Sequence, residues 1–579
     1  MRIMIKVSFF FLFLNLLCVS VWGYVDSRVR SYVKPVKLVW QKDGDGTLIE
    51  NTDVLLKGGD GQAVLNSHSM CVMKSTQQNF SSILLDFGKE LHGGISIVTG
   101  LSSTKEPIKI KVTFGESVSE AMSTIGDSCS ATNDHAMREF EVGVSWLGST
   151  EVGQTGFRFV RIDLLQPGVE LCLKEINAVT LLRDIPYRGS FMCNDELLNQ
   201  IWKTGAYTVH LNMQNYLWDG IKRDRLVWVG DMFPEVMTVN SVFGYNEVVP
   251  KSLDLARDST PLPGWMNGIS SYSLWWILIH KEWFLYQGDI AYLQEQKPYL
   301  MELVKILLSK VDHEGREFLD GQRFLDWPSE GNVESIDAGL QALLLMALDA
   351  GNTLLNLLGE HSLAQTCKLK CQQMRQYPLY NLNNNLNKQA ASLMGLAGLI
   401  KPDEVNIIIS NNGTKGFSTF YGYYMLQAQA QANNYSGALD MIRSYWGGML
   451  QMGATTFWED FDVEWMENAG RIDEITPQGK KDIHADFGRF CYTGLRHSLC
   501  HGWASDPTAW LTEHVLGVKV LEPGCRVLKI EPHLENLEWV KGRFPTPLGD
   551  VDIYHRKEGD RVITKIQAPK GIKVIKSDS

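Results

Sequence analysis

Asp195-Glu196-Leu197-Leu198-Asn199-Gln200-Ile201-Trp202 is the stretch at which the chain changes its period. Two acids open it, as at a helix N-terminus, and apolar residues follow at spacings of three and four. Upstream, from about Val36 to Arg183, the pattern alternates instead. Ile108-Lys109-Ile110-Lys111-Val112-Thr113-Phe114 and Phe157-Arg158-Phe159-Val160-Arg161-Ile162-Asp163-Leu164 are examples. Gly and Asp, Asn or Ser clusters separate these runs, and short strands at such spacing predict a β-sandwich.

Downstream the helical period persists. It predicts helices near 235–243, 271–287, 291–311, 335–358, 362–375, 388–400, 419–432, 436–445, 487–499 and 509–516. Paired helices joined by polar loops fit a toroid of helical hairpins, with inner faces as core and loops forming a cleft at one end. From about Glu522 alternation returns in Val527-Leu528-Lys529-Ile530, in Gly549–His555 and in Val562–Ile566. The expected order is a leader over 1–23, an N-terminal β-sandwich part over 24–190, a helical barrel over 191–520 and a C-terminal β-sandwich over 521–579.

The chain has 579 residues, which suits about three or four domains. Its net charge of −11 and the absence of a basic run argue against nucleic acid, whose phosphates need clustered Lys and Arg. Arg2 and Lys6 precede an apolar run from Val7 to Val21, and Val21-Trp22-Gly23 resembles a cleavage site. This reads as a secretory leader, too short for a membrane span, and predicts a secreted or periplasmic protein without a stable span. Leu17 before Cys18 is a poor lipoprotein signal. The other nine cysteines are odd in number and irregular in spacing, so neither a disulfide framework nor a zinc site is expected. No metal and no cofactor are expected.

Of the 17 tryptophans, Trp218, Trp228, Trp265, Trp327, Trp458 and Trp503 lie close to Asp, Glu, Asn or Gly. Tryptophan fills cores, but an indole beside carboxylates also suits a sugar, whose C–H face stacks while the acids hold its hydroxyls. The densest polar cluster runs from Trp218 to Glu235 and includes Asp219, Arg223, Asp224, Trp228 and Asp231. It should be a loop entering a helix, either pinned by Asp–Arg pairs or functional. Three further clusters stand out: Thr455-Thr456-Phe457-Trp458-Glu459, Asp326-Trp327, and Ser498-Leu499-Cys500-His501 at the end of an expected helix. Carboxylates from distant segments are what glycosidic cleavage needs, one protonated to give a proton and one ionised to take a proton from water.

With these clusters, the order of sandwich, helical barrel and sandwich resembles the α-L-rhamnosidases of glycoside hydrolase family 78, in the six-hairpin glycosidase superfamily. The resemblance covers most of the chain. It implies an (α/α)6 toroid and inverting, metal-free hydrolysis of terminal α-L-rhamnose in a rhamnose-containing glycan. By position it implies that Glu459 is the general base, that Asp219 and Asp231 bind rhamnose hydroxyls, and that Arg223, Trp228, Asp326, Trp327, Trp458 and His501 line the subsite.

Two departures matter. The family's general acid is a Glu, and the matching place holds Asp224, about 1.5 Å shorter. Either the loop compensates or another acid serves, and Glu235, four residues after Asp231, is the nearest spare. Where relatives carry a Trp-Ser-Asp-like segment, this chain reads Trp265-Met266-Asn267 and loses an ionisable group. Two rival readings follow: a binding protein without turnover, and a six-hairpin hydrolase for another deoxy or arabinosyl-type sugar.

Overall fold

The computed structural model describes residues 26–65, 69–126, 131–377, 386–490, 492–559 and 561–576. The expected leader, Cys18, Cys129, Cys491 and most of the asparagine-rich run 381–387 lie outside the described residues.

Nine strands open the described chain: β1 Arg28–Val33, β2 Lys37–Lys42, β3 Ile49–Glu50, β4 Cys71–Lys74, β5 Ser82–Thr99, β6 Ile108–Gly115, β7 Glu139–Val144, β8 Gly148–Leu164 and β9 Glu170–Arg183. They form one hydrogen-bonded sheet in the order β3-β4-β9-β5-β8-β6-β7, with β1 added to β9 and β2 to β5. Alternation alone suggested two layers. One network arises because β5 and β8 are long, and β5 pairs with β2, β8 and β9 along its length. The pairing of β5 with β8 slips between Asp86 and Leu91, where Gly88 has φ +84°. One face buries Ile83, Leu85, Ile95, Val112, Phe114, Phe157 and Ile162 together. The short helix α1, Val118–Met122, packs its Val118 and Ala121 on Leu84 and Phe159 of the other face.

Twelve more helices follow: α2 Glu196–Asn212, α3 Met232–Val242, α4 Val248–Asp258, α5 Ser270–Gln287, α6 Ile290–Ser309, α7 Val333–Leu357, α8 His361–Gln376, α9 Lys388–Leu396, α10 Pro402–Ser410, α11 Gly422–Gln431, α12 Tyr435–Gln451 and α13 Asp506–Trp510. Asp195 caps α2 by accepting the Leu197 amide at 3.0 Å, as the opening acids suggested. Helix α3 packs on α5, α5 on α7, α7 on α9, α9 on α11, α11 on α13, and α13 returns to α3. The alternate helices therefore close a ring. Others lie outside it: α6 and α8 on α7, α10 on α9 and α11, and α12 on α11 and α2.

The sequence reading missed α4 and α10. Helix α10 buries only Val405 and Ile409, so its apolar stripe is too narrow to register. The helix expected over 487–499 is absent. Gly488 and Gly494 take φ +108° and +60° there, and the described backbone holds only a short 3-10 turn, Gly494–Arg496. Carbonyls of Leu495 and His497 instead accept the Lys222 ammonium. Among the described residues one helix, α7, which the periodicity marks as a helix of the barrel, is long and apolar enough to cross a membrane by length and composition. It is an inner helix of the ring, largely buried against α5, α8 and α9.

The strand Ser190–Cys193, just before α2, pairs with Trp539–Thr546 of a four-stranded C-terminal sheet. That sheet shares the helical core through Phe191, Val540, Phe544 and Ile553.

The N-terminal sheet docks on the loops that precede the ring helices. Arg158 donates to the Gly453 carbonyl at 3.0 Å, the Glu90 amide to Thr455 at 2.9 Å and the Leu499 amide to Glu116 at 2.6 Å. At the centre of this junction sits Lys222. Its ammonium lies 3.0 Å from Glu116 and 3.1 Å from Glu120, all buried. Glu116, Glu120 and His484 are grouped as a cation site would be. The ammonium supplies the cation, and His484 is committed to Ser117 at 2.7 Å and to the His497 carbonyl at 2.9 Å. Arg138 and Lys222 hold Glu120 down at about 2 against burial.

Lys222→Met should leave Glu116 buried without its cation and destabilise the junction by about 3–5 kcal/mol. Urea unfolding checks this, and an unchanged midpoint would count against the ammonium as the tie between the two parts.

Candidate active site

The loops entering the N-terminal ends of the ring helices surround a cleft of about 300 Å³. The loop before α3 supplies Asp219, Arg223, Asp224, Trp228 and Asp231. That before α5 supplies Asn267 and Ile269, and α5 itself Tyr272. That before α7 supplies Gln322, Phe324 and Trp327, and the long connection to α13 supplies Glu459, Tyr492, Arg496, His501 and Trp503.

The first loop is tied at its neck. Asp219 donates its amide to the Leu226 carbonyl at 3.1 Å, and its carboxylate accepts the Leu226 amide at 2.9 Å. Within this loop Asp224 and Arg225 both take left-handed backbone, φ +54° and +57°. Two such non-glycine residues in succession are strained and need outside support. Arg225 finds it over the Trp218 ring at 4.7 Å, and Asp224 accepts the Trp228 indole N–H at 3.1 Å.

Glu459 sits on the opposite wall, fully buried. One oxygen accepts the Arg223 guanidinium and the other the Ser498 amide at 3.1 Å. Burial pushes its carboxyl up to about 7, with Arg223 the main opposing influence. Arg223 also reaches Asp224, its Nε 3.9 Å from Oδ1. Since the guanidinium fork is rigid, the nearest oxygens of Asp224 and Glu459 can be no more than roughly 9 Å apart.

Asp219 and Asp231 are buried on the cleft floor. His501 Nε2 stands between the acids, 3.4 Å from Glu459, 3.7 Å from Asp219 and 3.9 Å from Asp231. Burial and Arg223 hold its imidazole well below the usual range, so it is neutral. Burial, with repulsion from Asp224, Glu459 and neighbouring carboxylates, raises Asp219 and Asp231 well above ordinary carboxyls. Tyr272 donates to Asp231 at 3.1 Å. Several acids around one guanidinium favour retained protons, and a protonated carboxyl both donates and accepts, as a polyhydroxyl ligand requires.

Two expected lining residues stand behind the wall. Asp326 accepts the Trp327 amide at 2.8 Å and the Ser418 hydroxyl, so it orients Trp327 rather than facing the cleft. Burial raises its carboxyl to about 7. Trp458 packs edge-on against Phe461 at 5.6 Å and is enclosed. Glu235 also fails to reach the cleft. It is fully buried with neither oxygen hydrogen-bonded, and burial next to Asp231 and Asp219 keeps it protonated. Asn267, at the position of the lost ionisable group, tethers the first loop instead: it accepts the Val229 amide at 3.1 Å and donates to the Val227 carbonyl at 3.0 Å.

His135, Tyr272, Gln322, Tyr492 and Arg496 line the cleft without having been marked in the sequence. His135 comes from the N-terminal sheet part, where nothing local marks it. Tyr492 carries the Arg223 guanidinium on its ring at 4.5 Å and accepts the Trp327 indole N–H at 2.8 Å.

Residues 186–348 match the family model described as the bacterial alpha-L-rhamnosidase 6 hairpin glycosidase domain. Among solved structures, the GH78 rhamnosidase of Bacillus sp. GL1 superposes with a TM-score of 0.73 at 22% identity, over 91% of this chain and 55% of that one. The chain has the fold of the family 78 rhamnosidases. A rhamnosidase from Klebsiella oxytoca superposes with a TM-score of 0.66 at 19% identity, over 84% of this chain and 96% of that one. An alpha-L-rhamnosidase from Alteromonas sp. (strain LOR) is 22% identical over 91% of this chain. The chain spans 59% of that relative's length. These matches agree with the resemblance drawn from the sequence motifs.

Gly502 follows His501 and leaves no room for a side chain. A Cβ there would fall 1.5 Å from Glu235 Oε1. Gly502→Ala should therefore overpack the cleft floor and cost about 1–3 kcal/mol, read from chemical denaturation. Glu235→Ala in the same background should recover much of that loss, whereas full additivity would show that the clash is elsewhere.

Proposed function

We propose that the protein hydrolyses terminal α-L-rhamnosyl residues of a glycan by a single inverting displacement. The observation that carries this reading is the bridging of Asp224 and Glu459, from loops 235 residues apart in sequence, by one guanidinium across a carboxylate-rich cleft. The similar Klebsiella oxytoca protein was solved with rhamnose bound, which favours the same sugar here.

In this reading Glu459 takes a proton from water while Asp224 gives one to the departing oxygen. The upper bound on their separation is compatible with the roughly 6.5–9.5 Å that leaves room for the water. Asp219, Asp231 and neutral His501 hold sugar hydroxyls, and Trp228 and Trp327 wall the ring. Arg223 opposes the upward push of burial on Glu459 and so favours its ionised form. Glu235 is enclosed, so Asp224 is the better candidate for the acid. The ring of alternate helices supports an (α/α)6 toroid, flanked by sandwich-type β parts near the boundaries given above. Secretion or periplasmic location completes the proposal.

Proton NMR of the first-formed sugar tests the stereochemistry. β-L-rhamnose should appear first from an α-linked substrate, and early α-anomer would require a covalent intermediate. Binding of rhamnose without turnover of any aryl α-L-rhamnoside would favour a binding protein instead.

Glu459 must be ionised, and its raised carboxyl loses a proton only as pH rises through about 7. The acid limb of kcat/KM should therefore fall below that pH. Arg223→Met removes the influence that lowers Glu459, so the limb should move to higher pH by about one unit or more. A limb that stays in place would remove Glu459 from the base role.

Asp224→Asn should cost roughly 100-fold or more on alkyl glycosides and much less on an activated aryl glycoside, while Glu459→Gln should impair both alike. Steady-state kcat/KM on the two substrate types checks this, and equal losses in Asp224→Asn would remove it as the acid.

A further inference from the structure

The shortened acid poses a physical problem that the rhamnosidase reading, on which this inference rests, leaves open. Asp224 has one methylene fewer than the family's Glu and sits on a strained left-handed backbone. Something must hold its carboxyl in place. Its Oδ2 accepts the Trp228 indole N–H at 3.1 Å. An indole is only a donor, so it selects the unprotonated oxygen, and the transferable proton belongs on Oδ1.

Oδ1 faces a residue from another part of the chain. His135 Nε2 lies 3.3 Å from it. His135 belongs to the segment 131–138, which leads into β7 of the N-terminal sheet. That segment is fastened at both sides of the histidine. Asp134 pairs with Arg496 of the cleft wall at 3.2 Å, and Arg138 pairs with buried Glu120, beside Lys222. Lys222 directly precedes Arg223 and Asp224, so the histidine and the acid are anchored to the same junction.

We propose that His135 is a positioning residue for Asp224, supplied by the N-terminal sheet to compensate for the short acid. It fixes Oδ1 toward the leaving oxygen, and its Nε2–H donates to the carboxylate once the proton has gone. His135 and Trp228 then hold one oxygen each, and the acid keeps one orientation before and after transfer.

The test is a double-mutant cycle in activity and in thermal stability. His135→Ala should lower kcat on an alkyl α-L-rhamnoside roughly tenfold with little change in KM, and should barely affect an activated aryl substrate. His135→Gln, which keeps a side-chain N–H of similar reach, should restore most of the loss. In an Asp224→Asn background His135→Ala should have almost no further effect. Equal losses on both substrates, failure of Gln to restore, or additive effects with Asp224→Asn would overturn the proposal. The melting temperatures of the same four proteins read the contact without catalysis. Coupling between positions 135 and 224 is expected, and strict additivity would overturn the contact itself. An inactive wild type that still shows this coupling would mean that the rhamnosidase reading has failed while the pairing stands.

Discussion

Two adjacent cations, buried together, make it possible to bury Glu116, Glu120 and Glu459 around one short stretch of loop. Lys222 faces away from the cleft and satisfies Glu116, with Glu120 beside it, in the N-terminal sheet part. Arg223 faces the cleft and satisfies Glu459. One short stretch of loop thus fixes the sheet, the helical ring and the two opposed carboxylates relative to one another. Buried pairs of this kind contribute less to net stability than to a unique arrangement, because removing either partner leaves a charge that water no longer reaches.

The cleft is built from loops that lead into helix N-termini, and that placement has electrostatic consequences. Asp231 is at the mouth of α3, where the amide ends of the helix favour negative charge. Burial works against ionisation at the same point, and burial prevails for Asp231 and Asp219. Glu459 differs because it has a guanidinium. Of the four carboxyls in the cavity, Asp219 and Asp231 therefore tend to hold protons, whereas Glu459 gives its proton up near neutrality. This division follows from where the single Arg223 points.

The N-terminal sheet is more than an appendage of the ring. It grips the stretches 453–459 and 484–499, which carry or adjoin Glu459 and His501, through Arg158, Glu90, Glu116 and Ser117. Its segment 131–138 then reaches the cleft itself through His135.

Local pattern was enough to mark the change from alternating to helical period at Asp195, most of the ring helices, and the polar loop from Asp219 to Asp231. Those features rest on interactions between near neighbours in the chain: a cap on the next turn, a stripe of apolar residues, a density of charge that no core accepts. Asp219, Arg223, Asp224, Trp228, Asp231, Trp327, Glu459 and His501 were legible for that reason, and the structure brings all of them to one cleft. Tertiary contacts alone decided the rest. Asp326 and Trp458 sit beside cleft residues in sequence but face the packing behind them, since adjacent residues point in different directions. The stretch 487–499 has helical composition, yet its carbonyls are taken by Lys222, an interaction across more than 270 residues. His135 carries no local mark at all. It becomes part of the site only because a buried ammonium and a surface ion pair hold two distant parts of the chain together.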